Sequence, residues 1–206
     1  MHPNPAFRKA DAAADLAFAA ARGFGTLIAN GAEGPLAAHV PFAIDADAGR
    51  LETHLVRSNP LARALGEGAA PALLAVSGPD GYVSPDWYGD PGQAPTWNYV
   101  AIHLRGRLEL APAETLRAHL ARLSETFEPR LAPKRPWTMD KMAPAALARL
   151  MRAIVPATMT IDRVESTWKL NQNKSPDARE GAAAAIEGSV GAELAALAAL
   201  MRAPPA

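Results

Sequence analysis

The run from Trp97 to Leu110 constrains the fold of this 206-residue chain more than any other feature. Tyr99 and Arg105 belong to one set of alternating positions and Ile102 to the other, which is typical of a β-strand with two different faces. Shorter strand candidates lie at residues 24–30, 36–44, 50–56, 71–77 and 159–170. Because no helices recur at a regular βαβ spacing, the pattern predicts an antiparallel β-barrel with peripheral helices, a mainly β fold of the α+β type.

Helices are predicted around these strands, and turn dipeptides separate several of the elements. Asn30-Gly31 and the run Gly78-Pro79-Asp80-Gly81 are read as turns. The predicted helices cover residues 11–22, 60–65, 112–127 and 143–152, and an alanine-rich tail over about 176–203 that breaks near residues 188–191. With no internal repeat and no linker, the chain is predicted to form one domain over residues 1–206.

Charge and composition exclude several classes of protein. Lys and Arg number 21, as do Asp and Glu, so the formal net charge is zero, which argues against direct DNA binding. The chain has no cysteine for a disulfide or a thiolate metal site, and its five histidines show no zinc-ligand spacing. No apolar run is long enough to span a membrane, and the N-terminal residues do not resemble a signal peptide. A cytoplasmic protein without a membrane partner is expected.

Three segments could carry chemistry, and the first is the junction that follows the strand at residues 50–56. Arg57, Ser58 and Asn59 stand there before a predicted helix that begins at Pro60. A cation, a hydroxyl and free backbone N–H groups at a helix start suit an anion such as a phosphate. Alternatively, Ser58 or Asn59 only caps the helix and Arg57 is solvated.

The second segment opens the long strand and belongs to an aromatic-rich region. Five of the 12 aromatic residues lie between Tyr82 and Tyr99, and the Pro- and Gly-containing stretch Asp80–Pro95 is predicted to form a loop that lines a ligand. Trp97 and Tyr99 offer flat surfaces to a planar ring, and Thr96 and Asn98 offer hydrogen bonds to its edge. Alternatively, these aromatic residues belong to a strand in the core and the polar residues face water.

The third segment, Trp168 to Lys174, contains three amides and two lysines but no acidic residue. The two cations could compensate a ligand's phosphate or the negative charge that develops on a flavin ring. A solvated turn after the strand is the alternative.

These segments, in this order, resemble the PaiB-type family, the FMN-binding negative transcriptional regulators. Pro95-Thr96-Trp97-Asn98-Tyr99 and Lys169-Leu170-Asn171-Gln172-Asn173 are the specific elements. The other matching motifs are Met1-His2-Pro3, His39-Val40-Pro41-Phe42, His54 to Pro60, and Tyr82 to Tyr88. The chain departs from the family pattern at His2, where Tyr is usual, and at Asn171, where Ser is usual.

The resemblance implies a split β-barrel of the FMN-binding type and a homodimer with its flavin sites at the subunit interface. By the same resemblance, the flavin phosphate would lie on residues 53–59, with Arg57 as the main cation. The implied cofactor-binding residues are Thr53, His54, Leu55, Arg57, Ser58, Asn59, Trp97, Asn98, Tyr99, Lys169, Gln172 and Asn173.

The leading hypothesis is an FMN-binding protein of this type whose regulatory role is indirect, because the neutral chain shows no DNA-reading element. A flavin-dependent NAD(P)H oxidoreductase is the alternative, and it would need an acid or base such as His54 or His103. Haem binding through a histidine is a third hypothesis.

Overall fold

The computed structural model describes residues 1–8, 10–89 and 92–205. Seven strands and six α-helices account for most of this part of the chain. The strands are β1 (Phe24–Gly31), β2 (Gly34–Asp45), β3 (Arg50–Val56), β4 (Ala70–Val83), β5 (Thr96–Leu110), β6 (Ile154–Lys169) and β7 (Gly191–Ala192). The helices are α1 (Ala12–Arg22), α2 (Pro60–Ala64), α3 (Leu116–Phe127), α4 (Pro144–Arg152), α5 (Pro176–Ala185) and α6 (Leu194–Arg202).

The order of the strands in the sheet confirms the predicted barrel. Neighbouring strands follow the order β1-β2-β3-β6-β5-β4-β7, and β1 also pairs with β4. Six strands therefore close into a ring of hydrogen-bonded neighbours, which leaves only β7 outside it. The chain divides into two compact units. The first comprises Met1–Ala17, Val76–His103 and Val164–Ala206, and the second comprises Phe18–Ala75 and Leu104–Arg163.

In the second unit, antiparallel pairing brings distant strands together. β1 and β2 form a hairpin in which Gly31 pairs with Gly34, and β3 pairs with β6 so that Thr53 lies opposite Ala157. Alternating residues of β3 point inward, and Leu51 is fully buried in the core. Gly106 of β5 permits a close approach, because a Cβ there would lie only 1.7 Å from the Thr160 carbonyl oxygen.

The first unit contains the ends of β4, β5 and β6 together with β7, α5 and α6. Its core includes Val100, Ile186 and Leu197, each no more than 2 % exposed. The indole N–H of Trp168 donates a 2.7 Å hydrogen bond to the buried carboxylate of Asp15. This bond satisfies both groups, although burial still raises the pKa of Asp15.

Two predicted turns are wrong. The hairpin turn lies at residues 32–33, two residues after the predicted Asn30-Gly31, which belongs to β1. The run from Gly78 to Gly81 is not a turn, since β4 continues through it to Val83. Asp80 and Gly81 pair with β7, so a partner about 110 positions further along the chain supplies the hydrogen bonds that keep this run extended.

Candidate functional site

The strand β3 places its predicted ligand-binding residues on two different faces. Thr53 is fully buried and Leu55 is 2 % exposed. The Thr53 hydroxyl donates a 2.7 Å hydrogen bond to the Pro41 carbonyl, which ties β3 to β2. Thr53 and Leu55 thus lie in the interior of the second unit, and His54 projects from the other face of the strand.

His54 belongs to what we call the imidazole cluster, which consists of Glu52, His54, His119 and Arg122. Nδ1 of His54 lies 3.1 Å from Nε2 of His119 in α3, and Nδ1 of His119 lies 3.6 Å from a Glu52 carboxylate oxygen. The Arg122 guanidinium forms a salt bridge with the same oxygen. Nδ1 of the buried His119 therefore lies near the carboxylate but has no hydrogen-bond partner among the described residues.

The carboxylate favours one tautomer of each ring. A negative Glu52 lying 3.6 Å from Nδ1 of His119 attracts the ring proton to that nitrogen, which leaves Nε2 as the acceptor. In that arrangement His54 donates from Nδ1 and keeps Nε2 as an acceptor. Burial, and then the nearby His54, lowers the pKa of His119 to about 4, and burial also lowers the pKa of His54. Both rings are therefore neutral near pH 7.

Arg57 follows β3, and main-chain carbonyls hold its exposed side chain in place. Nε donates to the Arg152 carbonyl at 2.9 Å, and Nη2 donates to the Ile154 carbonyl at 3.2 Å. Within the described part of the chain, no carboxylate lies within 4 Å of this guanidinium. A fixed cation without a counter-ion is suited to an anionic ligand.

The helix that starts at this junction contributes less to anion binding than the sequence predicted. Asn59 caps α2 by accepting a 2.9 Å hydrogen bond from the Leu61 amide, as the cap alternative required. Because α2 has only five residues, it offers little helix dipole to an anion. Arg57 and the exposed hydroxyl of Ser58 are the groups left to bind one.

A cavity of about 380 Å³ lies beside Arg57, and we call it the arginine cavity. Its wall contains a second cation, Arg152, and no acidic residue. Leu110, Ala111, Ala113, Leu116, Met151, Ile154, Val155 and Pro156 complete the lining. Two guanidinium groups on an apolar wall suit a ligand that has both an anionic and an apolar part.

In the first unit, β5 separates its aromatic residues from its amide. Trp97 is 46 % exposed, and its ring meets that of Tyr82 edge to face at 6.3 Å. Asn98 is fully buried, and neither amide atom of its side chain has a hydrogen-bond partner among the described residues. Tyr99 is half-buried. Trp97 therefore offers an accessible ring surface, and Asn98 lies inside the unit.

Two lysines at the end of β6 form a second charged group, which we call the lysine pair. Lys169 donates to the Thr96 hydroxyl, and Lys174 donates to the Gln93 side chain and lies 4.9 Å from the centre of the Tyr88 ring. Burial, and then the Lys174 ammonium, lowers the pKa of Lys169. In the described ranges neither ammonium has a carboxylate within 4 Å, so the pair remains electrostatically uncompensated.

The amides beside the lysine pair shape its loop. Gln172 folds back on the chain, accepting from the Leu170 amide at 2.8 Å and donating to the Trp168 carbonyl. Asn171 adopts a left-handed conformation with φ of 63°, which Asn tolerates better than most residues. Its side-chain oxygen accepts a 3.4 Å hydrogen bond from the Tyr88 hydroxyl. Asn173 is exposed.

The predicted ligand wall Asp80–Pro95 differs from a simple loop. Residues 80–83 belong to β4, and Pro85–Tyr88 forms a 3₁₀ helix in which Tyr88 is buried. Asp90 and Pro91 lie outside the described residues. Sequence reasoning also missed His119 and Arg152 as site residues. Only His119 left a signal, because it shares the apolar face of α3 with Leu116 and Leu123.

The described residues contain neither a candidate metal site nor a helix that could span a membrane. No group of three or more His, Cys, Asp or Glu side chains there could hold a metal ion. Likewise, none of the described helices is both long and apolar enough to cross a membrane.

Comparison with solved structures defines the class of fold. The FAD and haem binding protein from Mycobacterium smegmatis matches with a TM-score of 0.51 and 23 % identity, over 75 % of this chain and 68 % of that one. The flavocytochrome Anf3 from Azotobacter vinelandii matches with a TM-score of 0.56 and 16 % identity, over 82 % and 72 %. At these identities the likeness establishes the fold alone, which is a split β-barrel as predicted.

The sequence comparisons establish the family. The family model described as "Putative FMN-binding domain" matches residues 1–163, and the chain belongs to this family, whose cofactor is FMN. The chain is also 28 % identical over 154 residues to "Protease synthase and sporulation protein PAI 2" of Bacillus subtilis, covering 74 % of this chain and 72 % of that protein. An uncharacterised protein of Emericella nidulans is 26 % identical over 185 residues, covering 72 % of this chain and 74 % of the relative. The predicted PaiB-type resemblance is confirmed.

Proposed function

We propose that the protein binds the phosphate of FMN at Arg57, with the arginine cavity receiving an apolar part of the cofactor. The observation that carries this proposal is the fixed guanidinium of Arg57, which has no described carboxylate partner and borders a cavity without acidic residues. Ser58 supplies a further exposed donor. Thr53 and Leu55 support the strand from inside, and Asn59 caps α2.

We also propose that residues of the first unit contact the flavin, and the supporting observations are different from those for Arg57. The exposed ring of Trp97 suits stacking against a planar ligand, with Tyr99 beside it on the same face of β5. Lys169 would compensate negative charge, and Gln172 would hold the neighbouring backbone. The buried amide of Asn98, which has no described partner, would hydrogen-bond the ligand, and the exposed Asn173 would reach it. FMN when bound supplies the redox chemistry, and the protein supplies binding and electrostatics.

We also propose a cytoplasmic homodimer with its flavin sites at the subunit interface, and a regulatory role that does not involve direct reading of DNA. In the described chain no two α-helices are joined by the tight turn of a helix-turn-helix, since 16 residues separate α3 from α4. A stable shift of a promoter fragment by the purified protein at physiological salt would contradict the indirect role. Size-exclusion chromatography with light scattering tests the dimer.

The phosphate assignment is tested by comparing FMN with riboflavin, which lacks the phosphate. Arg57→Ala should weaken FMN binding roughly 10- to 100-fold, because a charged hydrogen bond to the phosphate is lost, and should leave riboflavin binding nearly unchanged. Fluorescence titration of each flavin measures both affinities. Arg107→Ala is the matched control, since exposed Arg107 also donates to a main-chain carbonyl, that of Ala69. Equal losses for both flavins would mean that Arg57 does not contact the phosphate.

A further inference from the structure

Positive charge is concentrated in one segment of the second unit. Residues 116–153, which form most of the connection between β5 and β6 and which we call the basic insertion, contain eight Lys or Arg and three Asp or Glu. The insertion therefore has a net charge of +5, although the chain as a whole has zero. The neutrality of the whole chain thus conceals a strongly basic region.

Six of these eight cations form no salt bridge in the described chain. No carboxylate lies within 4 Å of Arg117, Arg130, Arg135, Lys141, Arg149 or Arg152. Two of the three acidic groups in the insertion already have donors: Lys134 and the Trp137 amide bind Glu128, and Thr138 hydrogen-bonds Asp140. The excess charge is therefore available to an external anionic partner.

The same insertion exposes apolar side chains. In α4, Leu147, Leu150 and Met151 lie on one face, and Arg149 and Arg152 lie on the opposite face. No residue of this nine-residue helix is buried. Leu150 is 53 % exposed, and Leu131 in the preceding loop is 54 % exposed. Leu147 and Met151 are half-buried, so Leu150 is the exposed part of the apolar face. A short helix with a basic face and an exposed leucine on its apolar side resembles helices that lie in a membrane interface.

The positive charge and the exposed leucines of the basic insertion together favour one of three kinds of partner: a second copy of the chain, a nucleic acid or a lipid surface. A second copy in a two-fold interface would set one +5 surface against another, which is repulsive. A nucleic acid would satisfy the arginines but would leave Leu131 and Leu150 in contact with charged phosphates. An anionic lipid surface can bind both the arginines and the leucines, because its headgroups attract Arg and its acyl region accommodates Leu.

We propose that the basic insertion docks this protein on an anionic phospholipid surface, with α4 lying in the headgroup plane and Leu150 inserted. Arg135, Arg149 and Leu150 do not line the arginine cavity, so variants at these positions test the docking apart from the proposed flavin site. Arg135, Arg149 and Arg117 supply the attraction, and their long side chains can keep their charges at headgroup level while α4 settles into the interface.

Flotation of the flavin-loaded full-length protein with lipid vesicles tests the proposal. Vesicles of phosphatidylcholine with about one-third phosphatidylserine should bind the protein, and pure phosphatidylcholine should not. Arg135→Glu/Arg149→Glu should weaken binding at least roughly 30-fold, the effect expected of two basic residues near such a surface. Leu150→Ser should weaken it roughly tenfold with the charge unchanged.

Controls separate this docking from general charge effects and from loss of folding. Arg63→Glu/Arg107→Glu makes the same change in charge at exposed positions outside the insertion and should bind vesicles like the native protein. Circular dichroism and flavin absorbance should be unchanged in every variant. Equal loss in both double variants would overturn the proposal. So would tighter binding to a short DNA duplex than to vesicles, with no effect of Leu150→Ser, because that result would identify a nucleic-acid surface.

Discussion

The imidazole cluster of the second unit and the lysine pair of the first unit differ in whether their positive charge has a carboxylate partner. In the cluster, the Glu52 carboxylate forms a salt bridge with Arg122, and the two imidazoles pair with each other at 3.1 Å. In the pair, Lys169 and Lys174 donate to neutral side chains, and burial and then the charge of Lys174 lower the pKa of Lys169. The cluster is electrostatically complete without a ligand, and the pair is not.

This difference indicates a structural role for the cluster and a binding role for the pair. Removing His54 would leave Nε2 of the buried His119 without its partner, which is destabilising. Removing one of two like charges relieves repulsion, so stability is kept and only ligand affinity falls. The comparison also changes the expected role of His54, which the sequence assigned to the cofactor and whose Nδ1 the structure uses to join β3 to α3.

Of the changes considered, acidification should lower the free energy of unfolding most, because it protonates the imidazole cluster. The pKa of His119 is about 4 in the folded protein, below its value near 6.5 in the unfolded chain, so protonation favours unfolding. The stabilisation is complete above about pH 6.5 and is lost progressively as the pH falls toward 4, by roughly 3 kcal/mol in total. Urea unfolding at a series of pH values measures it. His54→Leu/His119→Leu should remove this part of the pH dependence, and an unchanged profile would show that another group is responsible.

Removal of a single imidazole should have a somewhat smaller effect at neutral pH. His54→Leu leaves Nε2 of the buried His119 without a donor and should lower the free energy of unfolding by about 2 kcal/mol. The double variant His54→Leu/His119→Leu should be less destabilised than the sum of the single changes, since it removes both partners. Additive losses in denaturant titrations would mean that the two rings do not act as a pair.

The lysine pair should show the smallest effect on stability and a clear effect on ligand binding. Lys169→Met should change the free energy of unfolding by less than about 0.5 kcal/mol, because it removes a desolvated charge repelled by Lys174. Flavin affinity, measured by fluorescence titration, should fall. Lys174→Met is the matched comparison. A large loss of stability with unchanged flavin affinity would assign Lys169 to the structure instead.

Local sequence patterns predicted the elements best where neighbouring residues decide the conformation. The strand at residues 50–56 and the Asn59 cap with Pro60 were predicted at their observed positions, because side-chain alternation and capping are local effects. The run from Gly78 to Gly81 was misread because turn residues outweighed a partner strand that cannot be seen locally. The site followed the same rule: Arg57 was found by its motif, and Arg152 was missed because it meets Arg57 only in the folded chain.

The sequence by itself determined the family, the barrel of mainly antiparallel strands and the segments that carry polar and aromatic groups. These follow from motifs and periodicities that each span a few residues. Only the tertiary structure decided which polar groups are paired, because His54 meets His119 across 65 positions and Arg57 donates to the Ile154 carbonyl across 97. Pairing requires hydrogen-bond distances between groups remote in sequence, and only the folding of the chain sets those distances.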